Sequence, residues 1–198
     1  MSQAEWDERY SSEEQLFTGS VNGALAAEVA DLPPGRALDV GCGEGADGIW
    51  LAEQGWDVTS VDISQVAIDR AARGDLKRLV TWTRGDLIAT PPAPRSFDLV
   101  SCQYFPLKRQ DDHAALKGLL EAVAPGGTFL FVGHYLDDLQ HHGMHMFDPR
   151  DYYQPGEIVD LLGDDWAVVT HEVRARSSMT AEERKHVRDD VLRVRRSG

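Results

Sequence analysis

Apolar residues gather in short runs along this chain, and between the runs they recur every three or four positions. Residues 37–40, 57–61, 79–83, 97–102 and 128–132 are runs of strand length. Residues 21–29 align Leu25 with Val29, and residues 46–54 carry Ile49, Trp50 and Ala52. The stretch after Ser64 repeats Ala67, Ile68, Ala71 and Ala72, and the stretch from Asp111 or Asp112 to Val123 lines up Leu116, Leu119, Leu120 and Val123. Each predicts a helix, with Ser64 and Asp111 or Asp112 as caps. Breakers stand between them: Asp31-Leu-Pro-Pro-Gly35, Gly55, the rigid loop Pro91-Pro-Ala-Pro94 and Pro125-Gly-Gly127. Residues 97–102 form a nearly continuous apolar run, as burial on both faces requires. Five strands with four intervening helices predict a doubly wound parallel sheet of the α/β class, with a ligand at the carboxyl ends near the switch point. Residues 155–162 predict a short helix and residues 166–174 an alternating strand. The tail reads two ways: Thr180-Ala-Glu-Glu183 is a capping box for a helix over 181–190, and Asp190-Val-Leu-Arg-Val194 alternates like a closing strand.

The first strand runs into Gly41-Cys-Gly-Glu-Gly45, with glycines at alternating positions before a helix. Glycine lets a backbone approach a ligand closely and tolerates positive φ, so Gly41, Gly43 and Gly45 mark a candidate nucleotide-type site. Read as Gly41-x-Gly43-x-x-Ala46, the loop also satisfies the looser dinucleotide pattern, so charge has to decide. Asp39, Glu44 and Asp47 surround the turn with no Lys or Arg nearby in sequence, which repels a pyrophosphate and favours a cationic adenosyl sulfonium. Asp62 ends the next apolar run, where an acid can take both ribose hydroxyls. The expected site is an anion-rich pocket at the mouth of the sheet.

Leu38-Asp-Val-Gly-Cys-Gly-Glu-Gly45, followed by Val58-Thr-Ser-Val-Asp-Ile-Ser64, resembles the first two motifs of the class I S-adenosylmethionine-dependent methyltransferases. The likeness covers residues 36–132, and the first 35 residues also look like small bacterial members of the tellurite-resistance or thiopurine type. It implies a Rossmann-like, mostly parallel seven-stranded sheet with helices on both faces and an antiparallel last strand inserted beside the fifth. It implies S-adenosylmethionine as cofactor, with S-adenosylhomocysteine as product. One domain over 1–198 then divides into an N-terminal helical lid (1–35), a cofactor-binding core (36–132) and an acceptor-side loop with C-terminal strands (133–198). By the same likeness Trp6, Arg9 and Tyr10 of the lid reach the methionine end, with Arg9 facing its carboxylate. Asp39, Gly41, Cys42 and Gly43 hold the amino-acid end, Asp62 and Ile63 the ribose, Asp86 and Leu87 the adenine, and Gln103 borders both cofactor and acceptor. The plainer alternatives are that Trp6 and Tyr10 pack their helix onto the body and that Asp86 orders its Gly turn.

Bulk properties narrow the partners. A net charge of −13 over 198 residues opposes nonspecific binding to nucleic acid or an anionic membrane. No apolar stretch approaches the length of a membrane span and the first residues lack signal-peptide character, so a cytoplasmic address is expected. Cys42 and Cys102 are too few for a disulfide framework.

Residues 133–155 are long for a connection and hold His134, His141, His142 and His145 with Tyr135, Met144, Met146, Phe147, Tyr152 and Tyr153, a content suited to an acceptor pocket or lid. His141 and His145 have the spacing of a helical metal pair, but the glutamate of the zinc-protease pattern is missing and no metal is expected. Methyl transfer from a sulfonium needs alignment more than acid–base help. Gln103, Tyr104, His134 and Tyr135 are the acceptor-side candidates, none of them singled out as catalytic. Gln103-Tyr-Phe-Pro106 departs from the Asn/Asp-Pro-Pro-aromatic motif of base-modifying amino methyltransferases, so a small-molecule acceptor is expected. Two rivals stand beside this reading: a non-catalytic S-adenosylmethionine-binding or regulatory protein, and an NAD(P)-dependent oxidoreductase, which the acidic loop and the lack of a Tyr-x-x-x-Lys pair oppose.

Overall fold

The computed structural model describes residues 1–140, 148–176 and 187–198. Seven strands form one sheet: β1 (Arg36–Val40), β2 (Asp57–Asp62), β3 (Val80–Arg84), β4 (Phe97–Gln103), β5 (Val123–His134), β6 (Trp166–Ala175) and β7 (Arg188–Arg196), in the order β3-β2-β1-β4-β5-β7-β6. The first five are mutually parallel, and β7 runs antiparallel to both β5 and β6. The closing-strand reading of the tail is therefore the one realised. Its rival, the capping box at 180–183, lies outside the described residues.

Alternation along the central strands supplies two cores. On one face Phe129, Phe131, Val100 and Leu192 pack against α5 (Ala114–Ala122) and α7 (Pro155–Asp160), the latter preceded in the chain by a short α6 (Leu136–Gln140). On the other, Leu130, Val132, Leu99 and Val191 meet α2 (Gly23–Val29) and α3 (Ala46–Glu53). The α4 helix (Gln65–Gly74) buries Ala67, Ile68 and Ala71 and is capped as predicted, the Ser64 hydroxyl accepting from the Ala67 amide at 3.2 Å. At the far edge β6 leaves Val168, Val169 and Val173 exposed, with a register shift between Val168 and Thr170.

Three details differ from expectation. Three helices, not four, intervene among the five parallel strands, because residues 85–96 run from β3 to β4 as turns stiffened by three prolines. The α5 N-cap position is His113, in a left-handed conformation at φ 56°; Asp112 and Gln110 reach past it to accept from the Ala114 and Ala115 amides. The last helical residue expected, Val123, instead begins β5, which absorbs the Pro125-Gly-Gly127 bend.

Candidate active site

The glycine turn is folded back over the end of β2, with the Gly41 and Cys42 amides both donating to the Val61 carbonyl at 2.8 and 3.1 Å. Gly41 and Gly43 have φ of 68° and 53°, a region an L side chain enters only at a cost. Asp62, 8% exposed, accepts from the Gly43 amide at 2.9 Å with one oxygen and from the Ser64 amide at 2.9 Å with the other. Each oxygen retains a lone pair for a hydroxyl donor. Burial raises the Asp62 pKa, opposed by the amides of Ser64, Gly43 and Ile63.

The acids around the turn do something other than line a pocket. Glu44 accepts from the Leu16 and Phe17 amides at 3.1 and 2.9 Å, and Arg70 of α4 sits 2.8 Å from it, so the turn does have an arginine beside it in space. Asp47 accepts from the Asn22 amide and side chain at 2.8 and 2.7 Å. Asp39, 2% exposed, is held by the Ser60 hydroxyl at 3.0 Å beneath the loop, and its carboxyl is pushed up to about 8, first by burial and next by the charge of Asp47. Asp47 is raised by burial as well. The anion-rich mouth expected from sequence is thus corrected. Glu44 is neutralised by a partner, Asp39 favours its protonated form, and both Asp39 and Asp47 are turned inward.

The N-terminal segment is strapped over this loop. In α1 (Gln3–Ser11) Asp7 accepts from the Ser64 hydroxyl at 2.6 Å. Tyr10, 3% exposed, places its hydroxyl 3.0 Å from where a Cβ on Gly43 would lie, and Phe17 flanks the same spot at 3.6 Å. The Trp6 and Tyr10 rings meet at a tilt of 32° with centroids 5.9 Å apart, and the Arg9 guanidinium lies over Trp6 at 5.5 Å. Tyr10 and Phe17 are thus the N-terminal side chains that meet the turn at Gly43. Burial, then Asp39 and Asp62, push the half-buried Cys42 thiol well above its usual range. Asp86 is exposed and accepts from the Ile88 and Ala89 amides at 2.9 and 3.1 Å, the turn-ordering alternative, while Leu87 packs on the α5 core.

Beyond β4 two of the four acceptor-side candidates, Tyr104 and His134, come together. Gln103, 9% exposed, donates to the Ser101 hydroxyl at 3.0 Å and leaves Oε1 buried without a partner. Tyr104 adopts a left-handed φ of 53°, stacks on His134 at 4.5 Å, carries Arg176 over its ring at 4.6 Å and donates to Asp189 at 2.8 Å. Burial raises the pKa of both Tyr104 and Asp189. Tyr135 lies under Arg188 at 4.4 Å, apart from that stack. Phe105 closes over the turn: a Cβ on Gly41 would come 2.5 Å from its ring. Arg176 and Asp189 were not legible beforehand, because only the β5–β7 register, which sets His134 opposite Asp189, brings them here. Of the other histidines, His141, His142 and His145 lie outside the described residues, as do Met144, Met146 and Phe147; among the described residues no group of three ligating side chains gathers.

Residues 37–127, from the start of β1 to the bend in β5, match the family described as a methyltransferase domain. The resemblance to the class I S-adenosylmethionine-dependent methyltransferases is thus carried by β1 to β5. It is 30% identical over 158 residues to the ubiquinone biosynthesis O-methyltransferase of Xanthomonas campestris pv. campestris, covering 70% of this chain and 64% of that relative. It is 49% identical over 124 residues to ribosomal RNA small subunit methyltransferase C of Alcanivorax borkumensis, covering 55% of this chain and 37% of that one. Against a solved structure, N-methyltransferase NodS of Bradyrhizobium japonicum in complex with S-adenosylhomocysteine, the TM-score is 0.73 at 18% identity over the full length of both chains, a likeness of fold. The chain spans less than two thirds of the length of the curated relatives named here. These relatives do not extend the likeness to the tellurite-resistance or thiopurine type. The cofactor of class I methyltransferases is S-adenosylmethionine, and among the described residues no helix is long and apolar enough to cross a membrane.

Proposed function

We propose that this protein transfers the methyl group of S-adenosylmethionine to a small-molecule acceptor, with residues 1–35 as lid, 36–132 as cofactor core and 133–198 as acceptor side. The observation that carries the reading is the pairing of the Gly41–Gly43 turn with the buried Asp62, whose two oxygens are oriented by backbone amides toward a diol. The unpartnered Gln103 Oε1 is an acceptor waiting for a donor such as the ammonium of the cofactor's amino-acid end. In this reading Asp62 and Ile63 hold the ribose, Gly41 and Gly43 the amino-acid end, Leu87 and the outer face of Asp86 the adenine, and Tyr10 with Trp6 closes from above. When bound, the cofactor supplies a methyl group already activated by a sulfonium charge. The chain's part is to align the acceptor and exclude water, an orientation effect on the order of several kcal/mol. Tyr104, stacked on His134 and bonded to Asp189, borders the acceptor side. An acceptor as polyanionic as RNA is disfavoured by the net charge of −13.

The rival reading is binding without turnover, because methyl transfer from a sulfonium rests on alignment and requires no nucleophile of the protein. Calorimetric titration with S-adenosylmethionine, S-adenosylhomocysteine and NAD tests the main proposal, and binding of NAD alone would overturn it. Methyl transfer to any member of a panel of thiols, amines and tellurite then separates the enzyme from the sensor.

A further inference from the structure

The sheet has two outer borders, and they are defended unequally. β3 at one end has five residues, whereas β6 at the other has ten, with no proline and no lysine, and leaves Val168, Val169 and Val173 exposed. Among the described residues no strand pairs with β6 on its outer side. Edges of this length are ordinarily shortened, charged with lysine, interrupted by proline or twisted away by a bulge. β6 uses the last device at one end only: the register shift between Val168 and Thr170 spoils its first part and leaves residues 170–175 regular.

The ladder with β7 decides which backbone groups of β6 face outward. The Arg176 amide donates to the Val187 carbonyl at 2.9 Å, on the β7 side, and on the other side of β7 the Tyr135 amide donates to the Arg188 carbonyl at 3.2 Å. Antiparallel pairs alternate, so Glu172 and Arg174 also bond inward, while His171, Val173 and Ala175 turn their N–H and C=O groups to the open side. The side chains of Glu172 and Arg174 share one face, where Arg174 lies 3.2 Å from Glu172 and 2.8 Å from Glu28. A second β6 laid antiparallel on these outward groups has three central registers. A two-fold axis at Glu172 sets Glu172 against itself, and one at Arg174 sets Arg174 against itself, both repulsive. An axis at Val173 sets Val173 against itself, His171 against Ala175, and each Glu172 against the other copy's Arg174. Of the three, the last alone alternates these charges along the seam.

We infer that the β6 edge pairs antiparallel with β6 of a second copy of this chain, about a two-fold axis at Val173 that joins two sheets into one. The interface is isologous, so each favourable pair occurs twice. It rests on the edge alone and does not require the methyl-transfer reading. Sedimentation velocity of the full chain over a range of concentrations should show a reversible monomer–dimer equilibrium. Val173→Pro keeps the bonds to β7, because the amide it removes faces outward, and abolishes the dimer. Glu172→Lys sets like charges against Arg174 on both sides of the axis and weakens the dimer about tenfold, as two reversed cross-strand pairs provide. The register has its own readout. Two Cα atoms facing each other in a hydrogen-bonded pair lie about 5.5 Å apart, within reach of a disulfide. With diamide as oxidant Val173→Cys should therefore cross-link into dimers, while Val168→Cys, comparably exposed but at the bulge, and the parent with Cys42 and Cys102 should not. A chain that stays monomeric at every concentration would overturn the pairing and leave the edge to a strand of another protein. Cross-linking of Val168→Cys as fast as Val173→Cys, or a dimer undiminished in both Val173→Pro and Glu172→Lys, would overturn the register and with it the interface.

Discussion

Asp39 sits beneath the cofactor turn, and its environment makes stability depend on pH in an unusual direction. Its folded carboxyl, raised to about 8, keeps a proton that the unfolded chain releases near pH 4, so stability should fall as pH rises between those values. Asp39→Asn carries no such proton. Urea midpoints measured from pH 4 to 8 should therefore decline less steeply in the variant than in the parent, with a residual slope from the raised Asp47 and Asp62. Asp62 has the other task. Replacing it with Ala should weaken adenosyl binding by about 1–3 kcal/mol through lost charge-assisted hydrogen bonds, and unchanged affinity by calorimetry would refute its ribose role. The glycines and Asp62 could be found from sequence because backbone conformation and strand ends leave local marks. The partners of Glu44 left none, since Arg70 stands 26 residues away and meets it only through the seating of α4.

At the level of elements, the N-terminal segment is fastened by carboxylates, two of which, Glu44 and Asp47, look in sequence like ligand contacts. Asp7 reaches the α4 cap, Glu44 the amides of Leu16 and Phe17, and Asp47 the entry to α2 at Asn22. Glu44→Ala strips two amides and Arg70 of their common acceptor at once. It should lower stability by about 1.5–3 kcal/mol and raise proteolytic cleavage within residues 12–20, read by mass spectrometry; an unchanged cleavage pattern would show that the strap is held by its aromatics instead. Helical periodicity located α2 to α5 correctly because each presents one apolar stripe to the sheet. It misjudged the ends of α5, where a left-handed His113 and the early start of β5 depend on contacts with Gln110, Asp112 and the bend at Gly126.

Across the whole molecule the sheet is closed by a strand out of sequence order. The fold class was readable from the alternation of strand and helix, whereas the position of β7 came only from likeness to a family, since a run such as residues 190–194 does not say which neighbours it will choose. Along the β5–β7 pairing the core residues Phe129, Leu130 and Phe131 lie opposite Val194, Arg193 and Leu192, and among the described residues β6 pairs with no strand but β7. Deleting residues 188–198 should expose the flank of β5 together with an orphaned β6, and the truncated protein should partition into the insoluble fraction on expression; a soluble product with an unchanged thermal midpoint would contradict this. A wedge that is translated after both strands it separates also sets a timetable. Until residues 188–196 emerge, the parallel half can assemble but leaves the border of β5 bare and β6 unpaired, and only their arrival seals the gap. Passage through that interval, more than the strength of the finished fold, should govern how much of this protein survives its own synthesis.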